Sequence, residues 1–126
     1  MDLYQTTAAP RVIDIKGKSF TIYPFTPRDF AELGETIYQI QSKDNPEIKR
    51  LDIYDIIKCV LFDNIGFMSF ALAYSMMRGG TRIAFKEEQI ATSDITFQEL
   101  QDIPFSPDLF ATIWWILHGT DIPKSD

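Results

Sequence analysis

The residues whose types and spacing bear on chemistry are Gly17-Lys18-Ser19, Cys59, His118 and the acidic pairs Asp52/Asp55, Glu32/Glu35 and Glu87/Glu88. Gly17-Lys18-Ser19 echoes the end of a phosphate-binding loop. That loop needs a glycine where this chain has Val12, and it must join a strand to a helix. Here it lies between two alternating runs, which reads as a hairpin turn. Cys59 sits in an apolar helical run with no second thiol in the chain, so it reads as a buried hydrophobe rather than a nucleophile. His118 is the sole histidine, which excludes multi-histidine metal sites. It falls in the last turn of a helix, where a structural or solvent-facing role outweighs catalysis. Paired carboxylates can do acid-base work. Helical spacing puts Asp52/Asp55 and Glu32/Glu35 on wet faces, Glu87/Glu88 lies in a connection, and no pocket signature accompanies any of them. The acidic spacing also fails to match a calcium loop.

Trp114-Trp115 carries more information. Adjacent helical residues point about 100° apart, so a narrow buried stripe does not readily take both rings. One indole is expected in the core and its neighbour at a rim or against a partner. Core packing and partner contact stand as equal alternatives for the pair.

The bulk properties narrow the class. A chain of 126 residues fits one domain with a single core. Its 45% hydrophobic and 24% charged content is that of a globular protein. Aromatics make up 13%, with Phe 10, more rings than so small an interior readily hides, which favours a protein-contact role. A formal charge of -6 argues against a nucleic-acid binder and is compatible with a basic partner. A lone cysteine excludes an internal disulfide, and Met1 to Thr7 has neither the basic cluster nor the apolar run of a secretory signal, so a cytoplasmic location is expected.

The elements that position these residues follow from periodicity. Leu51 to Met77 is the most apolar stretch, yet Asp52, Asp55, Lys58, Asp63 and Asn64 interrupt it. Its clean part is too short to span a membrane, so it reads as a buried helical hairpin or bent helix. Residues 1–10 read as an arm. Arg11 to Lys16 and Ser19 to Tyr23 read as a β-hairpin turning at Gly17-Lys18 and ended by Pro24. Thr26-Pro27-Arg28-Asp29 starts a helix with Phe30, Leu33, Ile37 and Ile40 on one stripe, and Gly34 there implies close packing. The next helix starts near Asn45 or Asp52, with Ile53, Ile56, Ile57, Val60 and Leu61 inward. Asp63 to Gly66 breaks it, and a helix apolar nearly all round then runs to Met77, either central or covered by another chain. Thr81 to Phe85 reads as a strand joining the hairpin or as a loop. Thr96 opens a short helix through a capping box, Ser106 caps a last helix, and Gly119 ends it. The expectation is an α+β, mainly α-helical single domain with an N-terminal β-hairpin (11–24), a helical body (26–119) and a polar tail (120–126).

The order of these elements resembles the tail assembly chaperones of long-tailed bacteriophages. Pro24 to Leu33 matches their Pro-x-x-x-x-Asp-(aromatic or Leu)-x-x-(Ile/Leu) pattern after a strand pair. Ala71 to Arg78 matches the end of their apolar helix, and Ile95 to Leu100 their Leu-Thr-x-x-Glu-(Leu/Val) segment. The resemblance implies a non-enzymatic protein that coats a long helical tape-measure protein, recruits tail-tube protein and self-associates. It implies no cofactor and no catalytic residue. The residues assigned to protein contact are Phe67, Phe70, Tyr74, Phe110, Trp114 and Trp115. Rival readings are an acidic inhibitor or immunity-type protein and a structural tail or connector component of the virion. An enzyme ranks last, for want of a nucleophile-base or metal constellation.

Overall fold

The computed structural model describes residues 9–123, so residues 1–8 of the expected arm and 124–126 of the tail lie outside it. Lys16 (φ 51) and Gly17 (φ 80) both take left-handed backbone, the signature of a two-residue turn whose twist matches that of the strands it joins. The turn is therefore Lys16-Gly17, one residue earlier than the spacing implied. It pairs β1 (Arg11–Ile15) with β2 (Lys18–Ile22) antiparallel, from Ile15↔Lys18 to Arg11↔Ile22. Alternation buries Ile15, Phe20 and Ile22 on one face.

Thr26 starts α1 (Pro27–Asp44) with a reciprocal cap. Its Oγ1 accepts from the Asp29 N–H, and the Asp29 carboxylate accepts from the Thr26 N–H at 2.8 Å. Phe30, Leu33 and Ile37 turn inward. Ile40, expected on the same stripe, is 40% exposed because the last turns of α1 border an open groove. Gly34 meets its expected neighbour: a Cβ there would lie 2.8 Å from Ile56 Cδ1.

Asp52 caps α2 (Ile53–Lys58), accepting from the Asp55 N–H at 2.8 Å, which settles the start at the later of the two expected positions. A π-helical turn (Cys59–Asp63) continues it, closed by Asn64 N–H donating to the Cys59 carbonyl at 2.9 Å. The wide turn keeps Cys59, Val60 and Leu61 inside and sends Phe62 out. Ile53, expected inward, is exposed in the first turn of α2. Asn64 then accepts from the Gly66 N–H at 3.0 Å as α3 (Gly66–Arg78) begins. The two helical stretches meet at 120°, and no single helix among the described residues is long and apolar enough to cross a membrane.

α3 is central. It packs against β2, α1, the π-turn, α4 (Phe97–Gln101) and α5 (Pro107–His118), which is why it is apolar nearly all round. Its one buried polar side chain, Ser75, donates to the Tyr23 carbonyl at 2.6 Å and accepts from the Tyr23 N–H at 2.9 Å. Arg78 Nη1 donates to the Pro24 carbonyl and to the Asp29 carboxylate, both at 3.1 Å. The residues after β2 are thus tied to the end of α3. A short parallel pair, β3 (Ile83–Ala84) with β4 (Ile95–Thr96), brackets a 3-10 helix (Glu87–Thr92). The pair forms a sheet of its own rather than extending the hairpin. Arg82 clamps it, with Nη2 at 3.0 Å from Asp94 Oδ1 and its backbone N–H at 2.9 Å from Oδ2, and this holds the Asp94 carboxyl below its ordinary pKa. Thr96 and Glu99 make the expected capping box, Ser106 caps α5, and Gly119 closes it in the left-handed region.

Gly79, which caps the end of α3, and Gly34, in α1 against Ile56, make contrasting predictions. A Cβ at Gly79 would collide with the Thr21 backbone carbonyl, which has no freedom to yield. Gly79→Ala is expected to lower stability by about 2 kcal/mol through overpacking. At Gly34 the obstacle is the tip of a flexible side chain, and alanine gains about 1 kcal/mol of helix propensity. Gly34→Ala should therefore stay within about 1 kcal/mol of neutral. Urea unfolding of both variants checks the contrast.

Candidate interaction surfaces

The structure divides the six sequence-assigned contact residues into three environments. Phe67 and Trp115 are buried, at 3% and 2% exposure, and offer nothing to a partner in the folded chain. Phe67 lies on the covered sector of α3, and Trp115 faces the core, with the Arg11 guanidinium 4.4 Å from its ring centre. These two assignments are corrected. Trp114, one helical step away, is only half-buried, so the indoles separate as the 100° offset requires.

Phe110 and Trp114 lie one turn apart on α5 and build a ridge with two further rings. Phe62 sits 6.1 Å from Phe110, Phe110 sits 6.4 Å from Trp114, and the His118 imidazole stacks on Trp114 at 4.0 Å. His118 Nδ1 lies 3.1 Å from the Trp114 carbonyl oxygen. The Trp114 Nε1–H is buried without an acceptor. Phe62, 64% exposed, was not foreseeable from spacing, because a regular helix would not have displaced it as the π-turn does. Ile65, also exposed, follows it in the corner between π-turn and α3.

Phe70 and Tyr74 line a groove between α1 and α3. Thr36, Gln39 and Ile40 line it with them, and Glu32 and Glu35 complete the lining. The groove is shallow and open to solvent, with a volume of about 590 Å³. The Tyr74 hydroxyl is hydrogen-bonded to Thr36 Oγ1 at 2.5 Å, which leaves Tyr74 without an unpaired polar tip. Phe70 also continues the apolar surface sideways, 4.5 Å from Phe97, which is 5.3 Å from the exposed Phe85. Ile40 and Phe85 were missed as contact candidates. A stripe residue whose helix outruns its neighbour, and a ring in an irregular connection, carry no periodic signal.

The remaining chemical candidates are placed as follows. Among the described residues no group of three or more His, Cys, Asp or Glu could hold a metal ion. Cys59 is buried, and burial, aided by Asp63, pushes its thiol pKa up while a hydrogen bond from Gln41 opposes the shift. Glu32 pairs with Arg28 and Glu35 with Arg50, Asp52 serves as a helix cap, and Glu87 and Glu88 occupy the exposed first turn of the 3-10 helix. Comparison of the chain with family models, with curated proteins and with solved structures finds no match.

The orphan indole N–H and the sealed thiol each lead to a measurement. Trp114→Phe keeps the ring stack and removes an unsatisfied donor, so it should be neutral or stabilise by up to about 1 kcal/mol. Trp115→Ala, by contrast, should cost about 3–5 kcal/mol. Thermal unfolding of the two variants tests the pair. Cys59 should resist a thiol-specific disulfide reagent in the native protein and react at the rate of global unfolding. Rapid labelling under native conditions would contradict its placement.

Proposed function

We propose that this chain is a non-enzymatic assembly chaperone of the kind long-tailed phages use. It self-associates and covers a long helical client in the host cytoplasm. The tape-measure and tail-tube proteins are the partner classes the reading carries. The observation behind it is that large apolar side chains face outward in organised sets rather than singly. The ridge Phe62–Phe110–Trp114 and the track Tyr74–Phe70–Phe97–Phe85 each line up neighbouring rings on a surface. Scattered exposed hydrophobes need no explanation, whereas contiguous ones mark contact sites. The half-exposed setting of Phe70, Tyr74, Phe110 and Trp114 supports weak, reversible docking, as a client coat that must later be shed requires.

Light scattering over a concentration series, with and without a long helical client, tests the proposal. Assembly that grows with concentration, or capture of the client along its length, is expected. A protein that stays monomeric and forms only a stoichiometric, salt-sensitive complex with a basic partner would refute it in favour of the acidic inhibitor. Mass spectrometry of finished particles separates chaperone from virion component, because a chaperone should be absent from them.

A further inference from the structure

We propose that the groove between α1 and α3 takes a basic amphipathic helix, its apolar side chains seated on Ile40, Phe70 and Tyr74 and its Lys or Arg residues reaching Glu32 and Glu35. This rests on the chaperone reading and adds to it the chemistry of the client segment and the place where it docks.

Three features select that occupant. The first is the charge of the lining. The groove's lining includes two carboxylates and neither lysine nor arginine. Both carboxylates have counterions within the chain, Arg28 at 3.5 Å from Glu32 and Arg50 against Glu35, but both pairs are exposed. Exposed pairs of this kind contribute little and exchange readily for an incoming cation. The net charge of -6 attracts a basic segment from a distance as well.

The second feature is the form of the groove. Its walls are helices whose backbone groups are already paired, so no free strand edge is offered. An extended peptide laid there would leave its own amides and carbonyls without partners, whereas a helix brings them satisfied. From Glu32 to Ile40 α1 rises about 12 Å, the length of about two helical turns, which suits anchors spaced i, i+3/i+4 and i+7. The third feature is what the groove disfavours. The outward-facing residues at the start of α5 include Asp108 and no lysine or arginine, so a second copy presenting that helix would bring like charge to Glu32 and Glu35.

The test uses two fluorescently labelled helical peptides with the same leucine anchors, one flanked by lysines and one by glutamates. Anisotropy titrations against the full chain are expected to show binding of the lysine peptide, weakened by added salt, and none of the glutamate peptide. The double variant Glu32→Lys/Glu35→Lys should weaken the lysine peptide about tenfold and gain affinity for the glutamate peptide. Ile40→Ser should weaken the lysine peptide with only a small change in the denaturation midpoint, because the side chain is 40% exposed. The milder pair Glu32→Gln/Glu35→Gln gives the same direction should the reversal disturb α1. Equal binding of both peptides, no binding of either, or binding indifferent to all of these substitutions would overturn the proposal. Client capture by the wild type that survives every groove variant would do so while leaving the chaperone reading intact. Failure of the wild type to assemble or capture any client would instead remove that reading.

Discussion

A helix that is apolar nearly all round must be largely covered, and the fold is arranged to cover α3 except along Phe70, Tyr74 and Met77. The hairpin, α1, the π-turn, α4 and α5 each cover a sector of it. Met68, Ala71, Leu72, Ala73 and Met76 are consequently sealed. Enclosure creates a difficulty at the helix end, where strand backbone meets helix with polar groups to satisfy. Ser75 answers it by bonding both the N–H and the carbonyl of Tyr23, and Arg78 by bridging the Pro24 carbonyl and Asp29. Gly79 lets the Thr21 carbonyl come close. Pro24, Asp29 and Arg78, which carried the sequence resemblance, thus meet at one structural joint. Their spacing reflects how a hairpin is fastened to a central helix, and it assigns them no direct part in binding.

Because five elements are spent covering α3, little is left to cover the elements themselves. The outer sides of α1 and α5 and the corner at Phe62 and Ile65 have no further layer. In a chain this short the surface-to-volume ratio leaves no second shell to add. Phe62 and Ile65 gain little there from the fold of the single chain, whereas Phe70, Tyr74, Phe110 and Trp114 also pack against the core. The proposed association falls to the side chains left outside, and the covered sector of α3 bears on stability.

Much of the fold was legible because its signals are local. Thr26-Pro27-Arg28-Asp29, Thr96-Phe97-Gln98-Glu99 and Ser106-Pro107 mark helix starts by hydrogen bonds that span three residues, and Gly119 marks an end by its backbone freedom. The near-uniform apolarity of α3 left it either central or covered by another chain, and its packing within this chain makes it central. The π-turn was not legible: one widened turn depends on how Cys59 to Asp63 settle against α5 and α3, which no short-range pattern encodes. β3 falls within the strand that Thr81 to Phe85 offered as one alternative, but its pairing with β4 escaped, since two residues of strand held by an Arg82–Asp94 clamp leave no alternation to read. Of the candidate contact residues, Phe70, Tyr74, Phe110 and Trp114 fall on surfaces, whereas Phe67 and Trp115 do not. Composition argued for a surplus of rings without saying which rings would be left over. That partition is a tertiary outcome.

The central claim is that the side chains left outside serve association and not the stability of the chain. A double variant, Phe62→Ser with Ile65→Ser, separates the two, because both side chains are largely exposed. Its urea midpoint and its assembly by light scattering should be measured together on one preparation. An unchanged midpoint with assembly lost is the predicted result. A lowered midpoint with assembly intact would show that these side chains hold the fold together, and would contradict the account.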